Sequence, residues 1–190
     1  MCGRYFLLVD IKKLQKRYGI DDQNINYELE SSGEIYPTNN VPAILENNDE
    51  IIIESLKWGF APSYFNRVVI NSRAETIEEK KLFKNAFFKQ RCLIPANYFF
   101  EWKKSGDKKK KYKISVKDRE IFSFAAIYKK FKTNSEEYVN HFSIITTEAN
   151  KKIRKIHNRM PVILNKKDEK KWLNPNNNNK LNLKNLVKIL

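Results

Sequence analysis

A chain of 190 residues suits one domain with a buried core, and its hydrophobic fraction of 41% excludes general disorder. Its two cysteines, Cys2 and Cys92, exclude a disulfide scaffold of the secreted kind, and no apolar run approaches the roughly 20 residues that span a bilayer. The formal net charge of +15 favours a polyanionic partner such as nucleic acid, although 29 Lys against 8 Arg would equally follow from A·T-rich coding.

The N-terminal residues contain no long apolar stretch after their first charge, so we expect no signal peptide and a cytoplasmic protein. The first predicted helix begins soon afterwards. Asp10 is typical of an N-cap, Ile11, Leu14 and Tyr18 follow at helical spacing, and Gly19 is predicted to end the helix.

The next apolar segments predict strands at Val41–Glu46 and Ile51–Trp58, with a short strand at Val68–Asn71. A charged helix is predicted over Glu75–Phe88, because its apolar residues recur at helical spacing and would face inward. This helix would follow directly on the short strand.

A hairpin is predicted in the middle of the chain, because Ser105-Gly106-Asp107 is typical of a turn between Tyr98–Lys104 and Lys111–Val116. Further apolar segments predict short strands at 91–94, 121–127, 142–146 and 161–164, and a helix at 150–156. Strands dominate without regular βαβ alternation. The predicted class is α+β, a compact single domain with a curved mixed β-sheet or barrel-like core and flanking helices.

The C-terminal part differs in composition. Residues 174–179 are rich in asparagine and predict a solvated linker. We therefore expect one domain over residues 1–173, followed by an Asn-rich linker and short tail over 174–190. Apolar residues of the tail lie at helical spacing, and both a docking helix and a disordered tail remain open.

Cys2 has unusual reactivity if Met1 is removed. Methionine aminopeptidases generally remove Met1 when the next side chain is small. The new N-terminus would carry an amine and a thiol on adjacent carbons, with ordinary pKa values of about 8 and about 8.5. An aldehyde can then form an imine with the amine, and the thiol can close a five-membered thiazolidine ring. The plainer interpretation is that Cys2 is a small residue at a frayed end.

Two further side chains suit proton transfer. Glu101 follows an aromatic run and precedes Trp102, and a carboxylate in such surroundings suits general acid–base work, whereas strand alternation could instead direct it to solvent. His157 lies at a predicted helix-to-strand boundary, where side chains often project into clefts, although a lone histidine is more often structural.

The segment from Asn71 to Thr76 follows a strand and precedes a predicted helix. Asn71 could orient a reacting group and Arg73 could hold a phosphate, or Ser72 or Thr76 could cap the helix. Aromatic residues on a turn after Trp58, including Tyr64 and Phe65, belong to the core or stack on unpaired bases. The lysines of the predicted hairpin are most simply a solvated tip, and they could add nonspecific attraction to DNA.

Metal and cofactor sites are not expected. The two cysteines and two histidines are far apart and lack ligand spacing, which argues against zinc. With five glycines, the chain has no glycine-rich phosphate loop.

Several short sequence motifs are weak indications singly but are specific when taken together in their order along the chain. They are Met1-Cys2-Gly3-Arg4-Tyr5, Tyr36-Pro37-Thr38, Trp58-Gly59-Phe60-Ala61-Pro62, Asn71-Ser72-Arg73-Ala74-Glu75-Thr76, Arg91–Ala96 running to Phe100-Glu101-Trp102, and His157-Asn158-Arg159-Met160-Pro161. Together they resemble the SOS-response-associated peptidase (SRAP) family of abasic-site processing proteins.

The resemblance implies that Cys2 captures the ring-opened aldehyde of an abasic site in single-stranded DNA as a thiazolidine crosslink that shields the lesion. It implies that Asn71 positions the amine or the sugar, and that Glu101 and His157 transfer protons. It also implies DNA contacts through Arg4, Pro37, Tyr64, Phe65, Arg73 and Arg159.

The family name also implies autopeptidase activity. We further expect AP-lyase-like activity, no cofactor, and a cytoplasmic, nucleoid-associated monomer. Two departures stand out: Tyr64-Phe65 occupies a position where many relatives have tryptophan, and the chain ends soon after Trp172-Leu173. Two alternatives remain open, a thiol peptidase with Cys2 as nucleophile and His157 as base, and a noncovalent single-strand binder.

Overall fold

A computed structural model describes residues 2–8, 10–26, 33–133 and 136–187. Met1, whose removal is predicted, and the last three residues of the tail lie outside the described residues. The described helices are α1 (Ile11–Tyr18), α2 (Lys81–Lys89), α3 (Lys166–Leu173) and α4 (Lys180–Leu186). The described strands are β1 (Tyr5–Leu7), β2 (Ile25–Asn26), β3 (Gly33–Ile35), β4 (Asn40–Asn47), β5 (Glu50–Trp58), β6 (Asn71–Arg73), β7 (Arg91–Ala96), β8 (Tyr98–Ser105), β9 (Lys108–Ile114), β10 (Phe122–Lys132), β11 (Tyr138–Glu148) and β12 (Arg159–Pro161).

Five strands close into a barrel in the order β5, β4, β7, β10, β11. Neighbours are antiparallel except β11 and β5, which pair in parallel where His141 lies opposite Lys57 and Phe142 opposite Trp58. Strand β7 is buried at every position because α2 and α3 pack against it. The predicted α+β class with a barrel-like core and flanking helices is confirmed.

A second sheet, in the order β3, β1, β8, β9, carries the N-terminus. Alternation along its strands sends Tyr5, Leu7 and Phe99 into the core, where each is at most 1% exposed. Tyr5 packs its ring 5.3 Å from Trp58 of the barrel and 5.7 Å from Phe124. These aromatic contacts fix the position of β1, and therefore of the residues just before it.

The local signals for α1 are confirmed. Asp10 accepts a hydrogen bond from the backbone N–H of Lys13, and Gly19 ends the helix in the left-handed conformation. The hairpin is also confirmed, since β8 and β9 pair from Phe99 opposite Ile114 to the turn after Ser105, but its second strand is Lys108–Ile114 and not the predicted Lys111–Val116.

The helix predicted over Glu75–Phe88 is wrong in its first half, because α2 begins only at Lys81. The preceding chain instead stays on the barrel wall. The Ala74 N–H donates to the Thr146 carbonyl of β11, and residues 74–80 form turns. Neither Ser72 nor Thr76 caps α2, whose N-cap is Lys80.

Two other predicted elements are shorter than expected or displaced. The strand predicted at Val68–Asn71 is an isolated bridge between Val69 and Phe60, and β6 follows at Asn71–Arg73. The helix predicted at 150–156 contains only a 3-10 turn, Ile153–Lys155, and the Asn150 side chain accepts from the backbone N–H groups of Lys152 and Ile153 at its start.

A buried arginine holds the C-terminal segment. Arg91 is 3% exposed, and burial lowers its pKa to about 10, which still leaves it charged at neutral pH. Its guanidinium donates to the backbone carbonyls of Phe87, Phe88, Trp172, Asn174 and Asn177. Beyond this point, Leu183 and Val187 are buried in the main core. The domain boundary at residue 173 stays a prediction.

Candidate DNA-processing site

Cys2 is completely buried just before β1. Its carbonyl accepts a hydrogen bond of 3.0 Å from the Asn71 side-chain amide, and its thiol lies 4.0 Å from the Arg4 carbonyl. Burial, and then the charge of Glu101, raise the pKa of the Cys2 thiol to about 12. The interpretation of Cys2 as a residue at a frayed end is therefore wrong.

Asn71 reaches Cys2 from β6, which pairs in parallel with β11 where Asn71 lies opposite Ile144. Its Nδ2 donates a hydrogen bond to the Cys2 carbonyl. Its Oδ1 is buried and has no hydrogen-bond partner among the residues that the structure describes. A buried amide oxygen of this kind can accept from a further N–H group that comes close to Cys2.

Glu101 lies on β8 and is only 2% exposed. The alternative that strand alternation turns it to solvent is wrong, because its neighbours Phe100 and Trp102 occupy the outer face of the sheet. Its negative charge contributes to the raised pKa of the Cys2 thiol. Glu101 also lines a cleft of about 830 Å³ together with Arg4, Trp102 and His157.

His157 lies between two clefts. It lines the first with Glu101, and a second cleft of about 740 Å³ with Arg73 and Arg159. The His157 Nδ1 lies 3.0 Å from the Arg159 backbone nitrogen and 3.2 Å from the Arg159 carbonyl oxygen, and these two contacts hold the ring in place. The four predicted catalytic residues thus form a connected set: Asn71 contacts Cys2, Glu101 acts on Cys2, and Glu101 shares a cleft with His157.

The predicted phosphate-binding arginines differ in their engagement. Arg73 is exposed at the second cleft. Arg4 lies with its guanidinium carbon 4.3 Å from the Tyr36 ring and 5.2 Å from the Trp102 ring, at the first cleft. The two terminal nitrogens of the Arg159 guanidinium donate to the two carboxylate oxygens of Glu75, at 2.7 and 2.9 Å. A phosphate would therefore have to compete with that carboxylate.

Pro37, Tyr64 and Phe65 are not among the residues that line either cleft. Tyr64 and Phe65 are 75% and 54% exposed on the loop after Trp58-Gly59. That turn is fixed, since Gly59 has φ +111 and a Cβ there would lie 3.0 Å from the Val68 Cβ. The Nδ1 of buried His141 lies 2.6 Å from the Gly59 carbonyl and holds the same turn.

Sequence reasoning missed the contribution of Glu34, Trp102 and Lys155. Glu34 pairs with Arg4 at 3.4 Å, and Trp102 and Lys155 line the first cleft. Strand alternation along β1 and β8 would predict which face of the sheet Trp102 occupies, but only once the pairing of the two strands is known.

Among the described residues, no three His, Cys, Asp or Glu side chains are grouped so that they could hold a metal ion. None of the described helices has the length and apolar character needed to cross a membrane.

The fold and site define a single-domain α+β barrel protein with a buried cysteine beside a cleft that contains basic residues, a carboxylate and a histidine. The family model of the SOS response associated peptidase (SRAP) matches residues 1–190, and the chain belongs to this family.

Individual relatives agree. The chain is 37% identical over 183 residues to abasic site processing protein YoaM of Bacillus subtilis, which covers 93% of this chain and 81% of that protein. It is 28% identical over 177 residues to abasic site processing protein YedK of Escherichia coli, with coverage of 91% and 79%. A crystal structure of a Bacteroides thetaiotaomicron protein superposes with a TM-score of 0.87 at 31% identity, covering 98% of this chain and 87% of that one.

Proposed function

We propose that this protein senses abasic sites in single-stranded DNA and captures them covalently through Cys2 after Met1 is removed, so that the lesion is shielded. The observation that carries this proposal is the fixed position of Cys2, held by Asn71 and adjacent to the Glu101 carboxylate beside a basic cleft. The curated relatives named abasic site processing proteins support the same substrate.

The chemistry balances with the loss of one water. The Cys2 amine adds to the aldehyde carbon of the ring-opened sugar, and the resulting carbinolamine loses water to give an imine. The thiol then adds across the C=N bond, so that sulfur bonds to carbon and the thiol proton ends on nitrogen. The raised thiol pKa fits this order, because the amine acts first and the thiol is held as a proton-bearing group.

Glu101 and His157 divide the proton transfers. Glu101 acts at the thiol and the leaving water, because its charge is felt at Cys2 and its side chain reaches the cleft. His157 Nε2 serves the sugar hydroxyl during ring opening. The same imine would permit an AP-lyase-like elimination.

The DNA strand would cross both clefts. Arg4 and Arg73 contact phosphates, while Pro37, Tyr64 and Phe65 flank the strand and the exposed rings stack on unpaired bases. Arg159 takes part only where phosphate displaces Glu75. We infer a monomer that acts in the cytoplasm on nucleoid DNA.

The alternative is a thiol peptidase with Cys2 as nucleophile and His157 as base. Parallel assays on peptides and on abasic oligonucleotides distinguish the two functions.

Intact-mass spectrometry tests the proposal directly. The purified protein should lack Met1, and incubation with an oligonucleotide containing one abasic site should give the sum of both masses minus one water. An adduct formed by protein that fully retains Met1 would contradict the thiazolidine, because its nitrogen would then be an amide.

Asn71→Ala should slow adduct formation by about 10²-fold, because the Cys2 carbonyl loses the donor that fixes the amine in place. The rate should be measured with saturating abasic oligonucleotide, and noncovalent affinity should change little. Ser72→Ala is the matched control, since its buried hydroxyl has no hydrogen-bond partner among the described residues. Equal rates for both variants would remove Asn71 from the mechanism.

A further inference from the structure

The outer face of the second sheet is chemically distinct from its core face. Because Tyr5 and Phe99 point inward, their neighbours on the same strands point outward. Phe6 lies opposite Tyr98 in the β1–β8 pairing, and their rings stack with centroids 4.5 Å apart and planes within 7°.

Aromatic rings continue along this face of β8. Tyr98 meets Phe100 edge to face at 5.3 Å, and Phe100 lies 6.4 Å from Trp102. With Phe6, they form a row of four rings that ends at Trp102, which lines the candidate cleft.

Lysines of β9 lie along the same row. In the hairpin register Lys113 is opposite Phe100 and Lys111 is opposite Trp102. The Lys113 ammonium lies 3.8 Å from the Tyr98 ring centre, and the Lys111 ammonium lies 3.7 Å from that of Phe100. These cation–π contacts hold exposed charges in defined positions.

The spacing of these charges suits a polyanion. Successive outward residues of a strand are about 7 Å apart, which is comparable with the separation of successive phosphates in an extended single strand. Glu34 is the one acidic residue among the described outward-facing positions of this sheet. Its carboxylate is paired with Lys111 at 2.6 Å and with Arg4, so a phosphate at Lys111 competes with it, whereas Lys113 has no such carboxylate among the described ion pairs.

From this arrangement we infer that the outer face, called here the aromatic–lysine face, binds the length of single strand that flanks the lesion. The inference rests on the proposed function. Arg4 and Trp102 belong both to the cleft and to this face, so a strand that leaves the cleft continues onto it. Phosphates lie along Lys111 and Lys113, and bases displace the ammonium groups from the rings to stack on them.

The test uses oligonucleotides with a central tetrahydrofuran abasic analogue, which has no aldehyde and cannot crosslink. Extra nucleotides are added on the 5′ side only or on the 3′ side only, and affinity is measured by fluorescence anisotropy at several salt concentrations. Wild-type affinity should rise with extension on one side only, up to the length that fills the face.

The double variant Lys111→Ala, Lys113→Ala should lose this rise. Its log–log salt slope on the long oligonucleotide should fall by about 1.4, from roughly 0.7 for each of two lost phosphate contacts. The matched control is Lys108→Ala, Lys110→Ala, which removes the same charge from the other side of the same strand and should keep the rise.

Equal losses in both double variants would show a general charge effect and overturn the inference. Retention of the rise in both would also overturn it, and would leave the face for an acidic protein partner. Adduct formation on a short oligonucleotide with a true abasic site separates the two proposals. If wild type forms that adduct, failure of the length test rejects only the aromatic–lysine face. If it forms none while the length test succeeds, the covalent function fails and the face stands as a single-strand surface.

Discussion

Replacing Cys2 with serine should abolish the heat-stable adduct and leave an imine that borohydride can trap. The variant keeps the N-terminal amine, so the first step proceeds, but an oxazolidine closed by oxygen hydrolyses readily. Denaturing gels after heating, with and without borohydride, separate these species. Because one step of ring closure is removed entirely, this is the largest effect expected of any single substitution in the chain.

Cys92→Ala is the matched control, because Cys92 is the other buried cysteine and lies on barrel strand β7. It should form adduct at the wild-type rate provided that the fold is retained, which circular dichroism checks. A heat-stable adduct from Cys2→Ser at the wild-type rate would mean that Cys2 is not the ring-closing nucleophile.

Replacing Glu101 with glutamine should slow adduct formation by about 10²–10⁴-fold, because a proton carrier is lost at the carbinolamine and at the thiol. Shape is conserved, so affinity for the tetrahydrofuran oligonucleotide should stay near normal. Single-turnover rates at saturating protein measure the effect.

A second readout separates chemistry from architecture. The negative charge of Glu101 raises the thiol pKa of Cys2, so its removal should lower that pKa and shift the pH profile of Cys2 alkylation to lower pH. Glu101→Asp keeps the charge and should retain most of the raised pKa. An unchanged profile in Glu101→Gln, together with a normal rate, would assign Glu101 a purely structural role.

Elements with local signals were predictable from the sequence. Helix α1 has its cap at Asp10 and its terminator at Gly19, and the hairpin has its turn at Ser105-Gly106-Asp107. The prediction of a helix from Glu75 was wrong because a contact with a residue far away in the sequence determines the conformation of that segment. Glu75 binds Arg159, 84 residues away, and the chain remains on the barrel wall until Lys81.

The site shows the same division. Residue types and order pointed to Cys2, Asn71, Glu101 and His157, but the contact between Asn71 and Cys2 spans 69 positions and depends on the parallel pairing of β6 with β11. Whether Glu101 faced core or solvent depended on which face of β8 the barrel covers. No local pattern contains that information, because both faces of β8 are aromatic.

Strand β9 ends the four-stranded sheet, and five of its seven residues are lysines. An outermost strand exposes unpaired backbone groups that invite another chain to extend the sheet, which is a common start of aggregation. A second copy that approached this edge would place its own lysines against those of the first, and like charges directly opposite one another disfavour pairing. The lysine-rich edge therefore disfavours edge-to-edge pairing of β9 between two copies, independently of anything that the protein binds.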